Sequence, residues 1–276
     1  MAFSRRTLLT GAVAATALAG LSACGAGSAS DALTIAADAT PHSELLKEAV
    51  KLGLLGDVKL DIRETSGQVD PNQLVNSGDI DANFFQHVPY LKNWDAEHSA
   101  DLRSVAAVHV EPLGLYSRKV TSLTDVPEGA GIAIPQDATN LGRALFVLAD
   151  AGLIQLNVKA GDPDLDIAQV TRGNISANPK NLTFLEIDRP QLAATLDDAK
   201  VSLSIINGNY ALEAGLTPSK DALAIEKAAN NPYANVIVTR PDLVDDARIT
   251  KLAEALTSRQ IKDYITQTYS GSVVPA

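Results

Sequence analysis

Ile80-Asp81-Ala82-Asn83-Phe84-Phe85-Gln86-His87-Val88-Pro89-Tyr90-Leu91 reads as a strand over 80–84 that runs into a helix opened by Pro89 and continuing to 98. The same alternation extends in both directions. Upstream, residues 33–36 form a candidate first strand. Thr40 is a plausible N-cap with Pro41 at the first helical position, and Leu45, Leu46, Ala49, Val50 and Leu52 follow helical spacing up to a stop at Gly53. Residues 58–62 alternate as a strand, and a short helix over 72–77 ends at Gly78. Downstream come strands over 104–110 and 131–135, then a helix over 140–151 with Leu141, Ala144, Leu145 and Leu148 on one face. Strands follow at 182–187, 201–206 and 235–238, and helices over 247–256 and 259–269 close the chain. Short strands alternating with helices predict an α/β fold.

A chain of 276 residues allows one large domain or two of ordinary size. The order of elements predicts two α/β lobes, one built from 33–114 plus 211–276 and the other from 115–210. The crossovers are expected at 114–116 and near 207–210, with a ligand cleft between the lobes. The formal charge of −10 argues against nucleic acid or an anionic membrane surface as partner, since both need clustered Lys and Arg. Aromatic residues make up only 4% of the chain, so a local concentration of them is informative.

The N-terminus reads as an address. Arg5 and Arg6 form a charged start, residues 7–23 are small and apolar, and Leu21-Ser22-Ala23-Cys24 resembles the lipobox of bacterial lipoproteins. Residues 1–23 are therefore expected to be a signal peptide. Cys24, the single cysteine, is expected to carry the lipid, and 24–32 to be a flexible tether. Ser4-Arg5-Arg6-Thr7-Leu8-Leu9 also resembles a twin-arginine signal, with the general secretory route as the alternative.

Motifs for catalysis do not appear. There is no Gly-x-Ser-x-Gly elbow, no His-Glu-x-x-His and no phosphate loop. Gly129-Ala130-Gly131 lacks the third glycine of a dinucleotide fingerprint. One cysteine excludes an internal disulfide framework, and four scattered histidines make a structural zinc site unexpected. The acid pairs Asp197-Asp198 and Asp245-Asp246 suit solvated faces, and Asp79 and Asp81 suit structural or surface roles. No enzyme activity, cofactor or metal is expected.

Four constellations stand out. Phe85, His87 and Tyr90 place three rings within six residues at a strand end, a place where open α/β sheets bind ligands. Phe84 suits the core instead. Around Pro135-Gln136-Asp137-Ala138-Thr139-Asn140-Leu141-Gly142-Arg143, a strand ends and a helix begins near Thr139 or Asn140. Free N–H groups at that start and the Arg143 fork would suit a carboxylate, although an exposed arginine fits the spacing equally well. Ile205-Ile206-Asn207-Gly208-Asn209-Tyr210 ends a buried run in two amides and a phenol, with Asn209 preferred as a turn residue. Asn231-Pro232-Tyr233-Ala234-Asn235-Val236 puts an amide, both donor and acceptor, at the start of an apolar strand.

Taken together these stretches resemble the NlpA/MetQ family of methionine-binding lipoproteins of ABC importers. The matching residues are Gly78-Asp79-Ile80-Asp81-Ala82-Asn83, Phe85-Gln86-His87, Pro89-Tyr90-Leu91 and Thr139-Asn140-Leu141-Gly142-Arg143. Asn178-Pro179-Lys180-Asn181-Leu182, Gly215-Leu216-Thr217-Pro218 and Asn235-Val236-Ile237-Val238 continue the match. The resemblance implies a two-lobed, periplasmic-binding-protein-like fold that holds L-methionine and delivers it to a membrane permease and its ATPase. It implies a lipid anchor on Cys24 at the extracytoplasmic face of the membrane. It implies that Phe85, His87 and Tyr90 wall the thioether, and that Arg143 takes the carboxylate with Asn140 nearby. Asn207 and Asn235 would hold the amino and carboxylate groups. Glu111 and Tyr116 lie in a matching segment without an assigned role, and 160–174 departs from the family pattern. A methionine sulfoxide or short methionyl peptide in the same fold is the alternative ligand, and a cell-envelope hydrolase is the distant alternative.

Overall fold

The computed structural model describes residues 32–65, 67 and 69–276. The readings of Arg5, Arg6 and Cys24 lie outside these residues. In the first part of the chain, strands β1 (Leu33–Asp38), β2 (Leu60–Thr65), β3 (Ala82–His87) and β4 (Arg103–Val110) alternate with helices α1 (Glu44–Lys51), α2 (Pro71–Ser77) and α3 (Val88–His98). The chain then builds β5 (Gly114–Tyr116), β6 (Gly131–Pro135), α4 (Ala138–Asp150), β7 (Gln155–Leu156), β8 (Ile175–Ala177), β9 (Thr183–Ile187) and β10 (Leu203–Ile206). Helices α5 (Gly208–Glu213) and α6 (Pro218–Asp221) lead to β11 (Ala224–Ile225). It ends with β12 (Ala234–Thr239), α7 (Ala247–Leu256), α8 (Arg259–Tyr269) and β13 (Val274–Pro275).

Two sheets result. One has the order β13-β4-β12-β3-β1-β2 and the other β11-β5-β10-β6-β9, while β7 and β8 pair by themselves. In the first sheet β1 runs parallel to β2 and β3, and β12 lies antiparallel between β3 and β4. In the second, β6 is parallel to β9 and β10. Each sheet has a core on both faces, so β3, β6 and β10 are buried along their whole length, and the polar Asn83 and Gln86 of β3 are satisfied by each other and by Asn72. Leu45, Leu46 and Ala49 of α1 join Ile249, Leu252, Ile261 and Ile265 of α7 and α8 over the first sheet. The face of α4 read from the sequence, Leu141, Ala144, Leu145 and Leu148, packs on Ile132, Ile134, Leu203 and Ile205 of the second.

Element boundaries differ from the sequence reading in ways that matter for the site. The strand expected over 80–84 is β3 and runs on to His87, so Phe85 and His87 are its last residues rather than a loop beyond it. Thr40 is extended and does not cap α1. Its hydroxyl donates to Glu44 Oε1 at 2.7 Å, and the helix begins at Glu44. Gly78 does end α2, in the left-handed conformation that glycine adopts without a Cβ clash. The expected return to the first lobe near 207–210 comes later by sheet membership. Ala224 and Ile225 still pair with Leu115 and Gly114 of β5, so the chain rejoins the first sheet only at Ala234. Helix α5 lies on the seam between the two sheets: Tyr210 and Ala211 pack in a second-sheet cluster, and Leu212 against the first-sheet core. Among the described residues, no helix is long and apolar enough to cross a membrane.

Candidate functional site

At the seam, β3, α3 and β12 of the first sheet face α4 and the loops after β9 and β10 of the second. Phe85, His87, Tyr90, Arg143, Asn207 and Asn235 line one enclosed cavity there, together with Gln86, Glu111, Arg189 and Asn209. Its volume is about 20 Å³, far below the roughly 300 Å³ at which ligand pockets begin. A drug-sized or amino-acid ligand therefore needs the walls to part. A larger groove of about 570 Å³ lies on the other side of Arg143, between Phe146, Leu165 and Tyr233. Residues 160–174, unassigned from the sequence, contribute to that groove and pack Ile167 and Val170 against α4.

The three rings come together as read. Phe85 and His87 stand edge-on to Tyr90, with centroids 5.8 and 6.2 Å away. Two further contacts were not read from the sequence. Tyr233 lies 5.2 Å from His87, and Arg189 sits 4.8 Å over the Tyr90 ring. Phe84 is fully buried in the first core, as expected, and lies edge-on to His42 and His109.

Arg143 is buried, not an exposed helix residue. Its fork is already engaged. Nε donates to Glu226 Oε1 at 2.8 Å, and Nη2 donates to Glu226 Oε2 at 2.5 Å and to the Glu111 carbonyl at 2.8 Å. The guanidinium also stacks 4.5 Å over Tyr233. Burial opposes both charges, but their mutual attraction outweighs it and holds Glu226 below the usual carboxylate range. Nη1 is the edge of Arg143 with no protein partner among the described residues. The start of α4 is also different from the reading. Its cap is Asp137, whose carboxylate accepts from Asn140 N at 3.0 Å, so an anion of the chain's own already occupies the helix start. Burial opposes that charge too, but Arg189 and the Asn140 N–H groups outweigh it and keep Asp137 ionised.

Asn140 is only 1% exposed and is not part of the cavity wall. Its Nδ2 donates to Asp137 Oδ1 at 2.9 Å and its Oδ1 accepts from Asn207 Nδ2 at 3.0 Å. Asn140 thus sits behind Asn207 rather than beside a ligand. His87 accepts from Tyr90 N through Nδ1, so Nε2 carries the proton and points at Asn140 Oδ1, 3.4 Å away. Burial first, then Arg143, hold this imidazole neutral.

Behind Asn235 lies a buried cluster of His42, His109 and Glu111. Glu111 Oε1 is 2.7 Å from His109 Nε2 and 3.2 Å from His42 Nε2, and Glu111 Oε2 accepts from Asn209 N at 2.7 Å. His42 Nε2 also meets Asn235 Oδ1 at 3.1 Å. Both of its neighbours are acceptors, so His42 Nε2 carries the hydrogen and the Asn235 oxygen is turned inward. The donor end of that amide is left for the cleft. Burial pushes His42 down to about 4. The three groups have metal-ligand chemistry, but the Nδ1 atoms of both histidines lack the acceptor that orients a metal-bound imidazole. Asn209, read as a turn residue, is buried in the first turn of α5 and donates from Nδ2 to Asp38 Oδ2 at 3.1 Å.

Arg189 and Glu226 are therefore the main site residues that sequence reading missed. Arg189 follows β9, and the strand-end rule that selected Phe85 would have selected it too. Glu226 carries no local signal, because β11 has only two residues and its place depends on the whole second sheet.

The NlpA lipoprotein family matches residues 33–276 of this chain. The methionine-binding lipoprotein MetQ of Bacillus subtilis is 37% identical over 261 residues, covering 92% of this chain and 93% of that one. A solved nutrient-binding protein of Burkholderia cenocepacia, described as bound to methionine, superposes with a TM-score of 0.81 at 36% identity, over 88% of this chain and 99% of that one. A periplasmic substrate-binding protein of an ABC transporter from Coxiella burnetii gives 0.81 at 37% identity, over 88% and 100%. This chain shares their α/β fold with two sheets and a seam between them.

Proposed function

On the footing that this chain belongs to the NlpA lipoprotein family, we propose that it is the substrate-binding component of an ABC importer and that its ligand is L-methionine. The relatives' names supply the ligand class. The observation that carries the reading is the polarity of the cleft. Arg143 Nη1 and the Asn235 amide N–H groups offer donors for a carboxylate, and the buried Asn207 Oδ1, without a partner among the described residues, offers an acceptor for an ammonium. The rings of Phe85, His87 and Tyr90 provide the wall for a thioether, which makes favourable contacts with aromatic edges. Nothing in this arrangement requires bond making, and the role is binding rather than catalysis.

Delivery to a permease and its ATPase, and a diacyl anchor on Cys24 at the outer face of the membrane, complete the proposal. Cys24→Ala should abolish labelling by a fatty-acid probe, and unchanged labelling would remove the anchor. Native mass spectrometry of the purified protein tests the ligand. A methionine adduct that disappears on unfolding and returns on adding methionine is expected. An adduct of sulfoxide or dipeptide mass that methionine cannot displace would favour that alternative instead.

A further inference from the structure

Asn207 is 8% exposed, and its Oδ1 is buried with no hydrogen-bond partner among the described residues. Leaving a buried acceptor unmade is costly, so its presence needs a cause. The cause lies two residues back in a relay. Asp137 is a carboxylate and can only accept. It therefore fixes which end of the Asn140 amide faces it: Nδ2, at 2.9 Å. The Asn140 oxygen is then turned the other way and must meet donors. His87 Nε2–H stands 3.4 Å from it and Asn207 Nδ2 3.0 Å. Asn207 thereby turns Nδ2 inward, with one N–H bonded to Asn140, and presents oxygen to the cleft. Arg189, 3.2 Å from the other Asp137 oxygen, holds the start of the relay in place.

This deepens the reading that the cleft takes a zwitterionic amino acid. We propose that Asp137 is a positioning residue which, through Asn140, locks Asn207 as an acceptor for the ligand's α-ammonium and so sets the preference for an amine over other α-substituents. An ammonium can only donate and requires an oxygen at this place. A hydroxyl donates or accepts and is indifferent to which end of Asn207 it meets. The relay therefore acts on selectivity and not merely on affinity.

Calorimetry with L-methionine and its α-hydroxy analogue, 2-hydroxy-4-(methylthio)butanoate, tests this on the ligand-stripped protein. The wild type should prefer methionine at least about tenfold, since charge-assisted bonds are roughly twice as strong as neutral ones. Asp137→Asn keeps the shape and the helix cap but removes the acceptor-only terminus. Asn140→Leu breaks the relay without changing charge. Both should cut the preference about tenfold, with the hydroxy acid changing less than about threefold. A parallel loss of both ligands would mean a structural role and overturn the proposal. A lowered preference in Asp137→Asn alone would assign the effect to through-space charge and overturn it as well. A wild type that binds neither ligand would refute the methionine reading itself, and the relay with it. Should the variants not fold, the Asn207 side-chain amide signal in the wild type decides. The relay predicts that the N–H proton bonded to Asn140 stays bonded before and after methionine, and a large ligand-induced shift of that proton would contradict it.

Discussion

Arg143, one turn into α4, has Nε and Nη2 held by Glu226 from 83 residues away. Only the Nη1 edge remains for a ligand. Arg143→Ala alone would strand Glu226 in a buried place, so the sharper test removes both charges. Arg143→Met with Glu226→Gln should leave the fold intact, because replacing a buried pair as a unit is often neutral. It should weaken methionine on the order of 30-fold or more, as losing one side of a buried charge contact costs about 2–5 kcal/mol. Calorimetry showing a loss under about threefold would take Arg143 out of the site. Asp38 gives a second test, this time in pH. Burial first, against the opposing pull of Arg189, raises its carboxyl to about 7. The folded state thus favours the protonated form. Stability from this group is fully present below the ordinary value of 3.8 and is lost as pH rises to about 7. Asp38→Asn, which keeps an acceptor for Asn209, should gain at least about 1 kcal/mol relative to wild type between pH 4 and pH 8. A difference independent of pH in urea melts would contradict the burial argument. The ring cluster was legible because aromatics are scarce and three fall together. Glu226 was not, because its place depends on the two-residue β11 and the whole second sheet, whereas Arg189, two residues past β9, lay within reach of the same strand-end rule.

At the level of elements, the alternation of strand and helix was legible wherever an apolar period ran for four residues or more. The two- and three-residue strands β7, β8, β11 and β13 were beyond it, since no period can be read from so few residues. Helix starts were the other weak point. Asp137, rather than Thr139 or Asn140, caps α4, and that shift turns an apparent anion site into the first member of a relay. Helix α5 shows what the seam demands. A Cβ on Gly208 would fall 2.9 Å from Glu111 Cβ, closer than such atoms sit. Alanine is the better helix former by up to about 1 kcal/mol, but Glu111 is pinned by His109 and Asn209 and cannot yield. Overpacking should win, so Gly208→Ala should lose about 1–2 kcal/mol in urea unfolding. Equal or greater stability would show that Glu111 moves freely.

For the whole molecule, two sheets with separate cores meet at a seam crossed at 110–114, by α5, and again at 226–233. We propose that these crossings let the sheets part and close as lobes around methionine, since the enclosed space of about 20 Å³ admits no amino acid as it stands. A ligand touching Phe85 and Asn235 on one side and Arg143 and Asn207 on the other favours the closed arrangement, because only that arrangement makes all the contacts. It also raises the melting temperature, as anything bound to the folded form must. The assignment of this seam as the methionine site is our proposal. It is tested most directly by titrating the folded, ligand-stripped protein, freed of residues 1–30, with L-methionine in a calorimeter. One saturable site per chain, filled well below millimolar ligand, is expected. No saturable heat at millimolar methionine, from protein that still melts cooperatively, would contradict it.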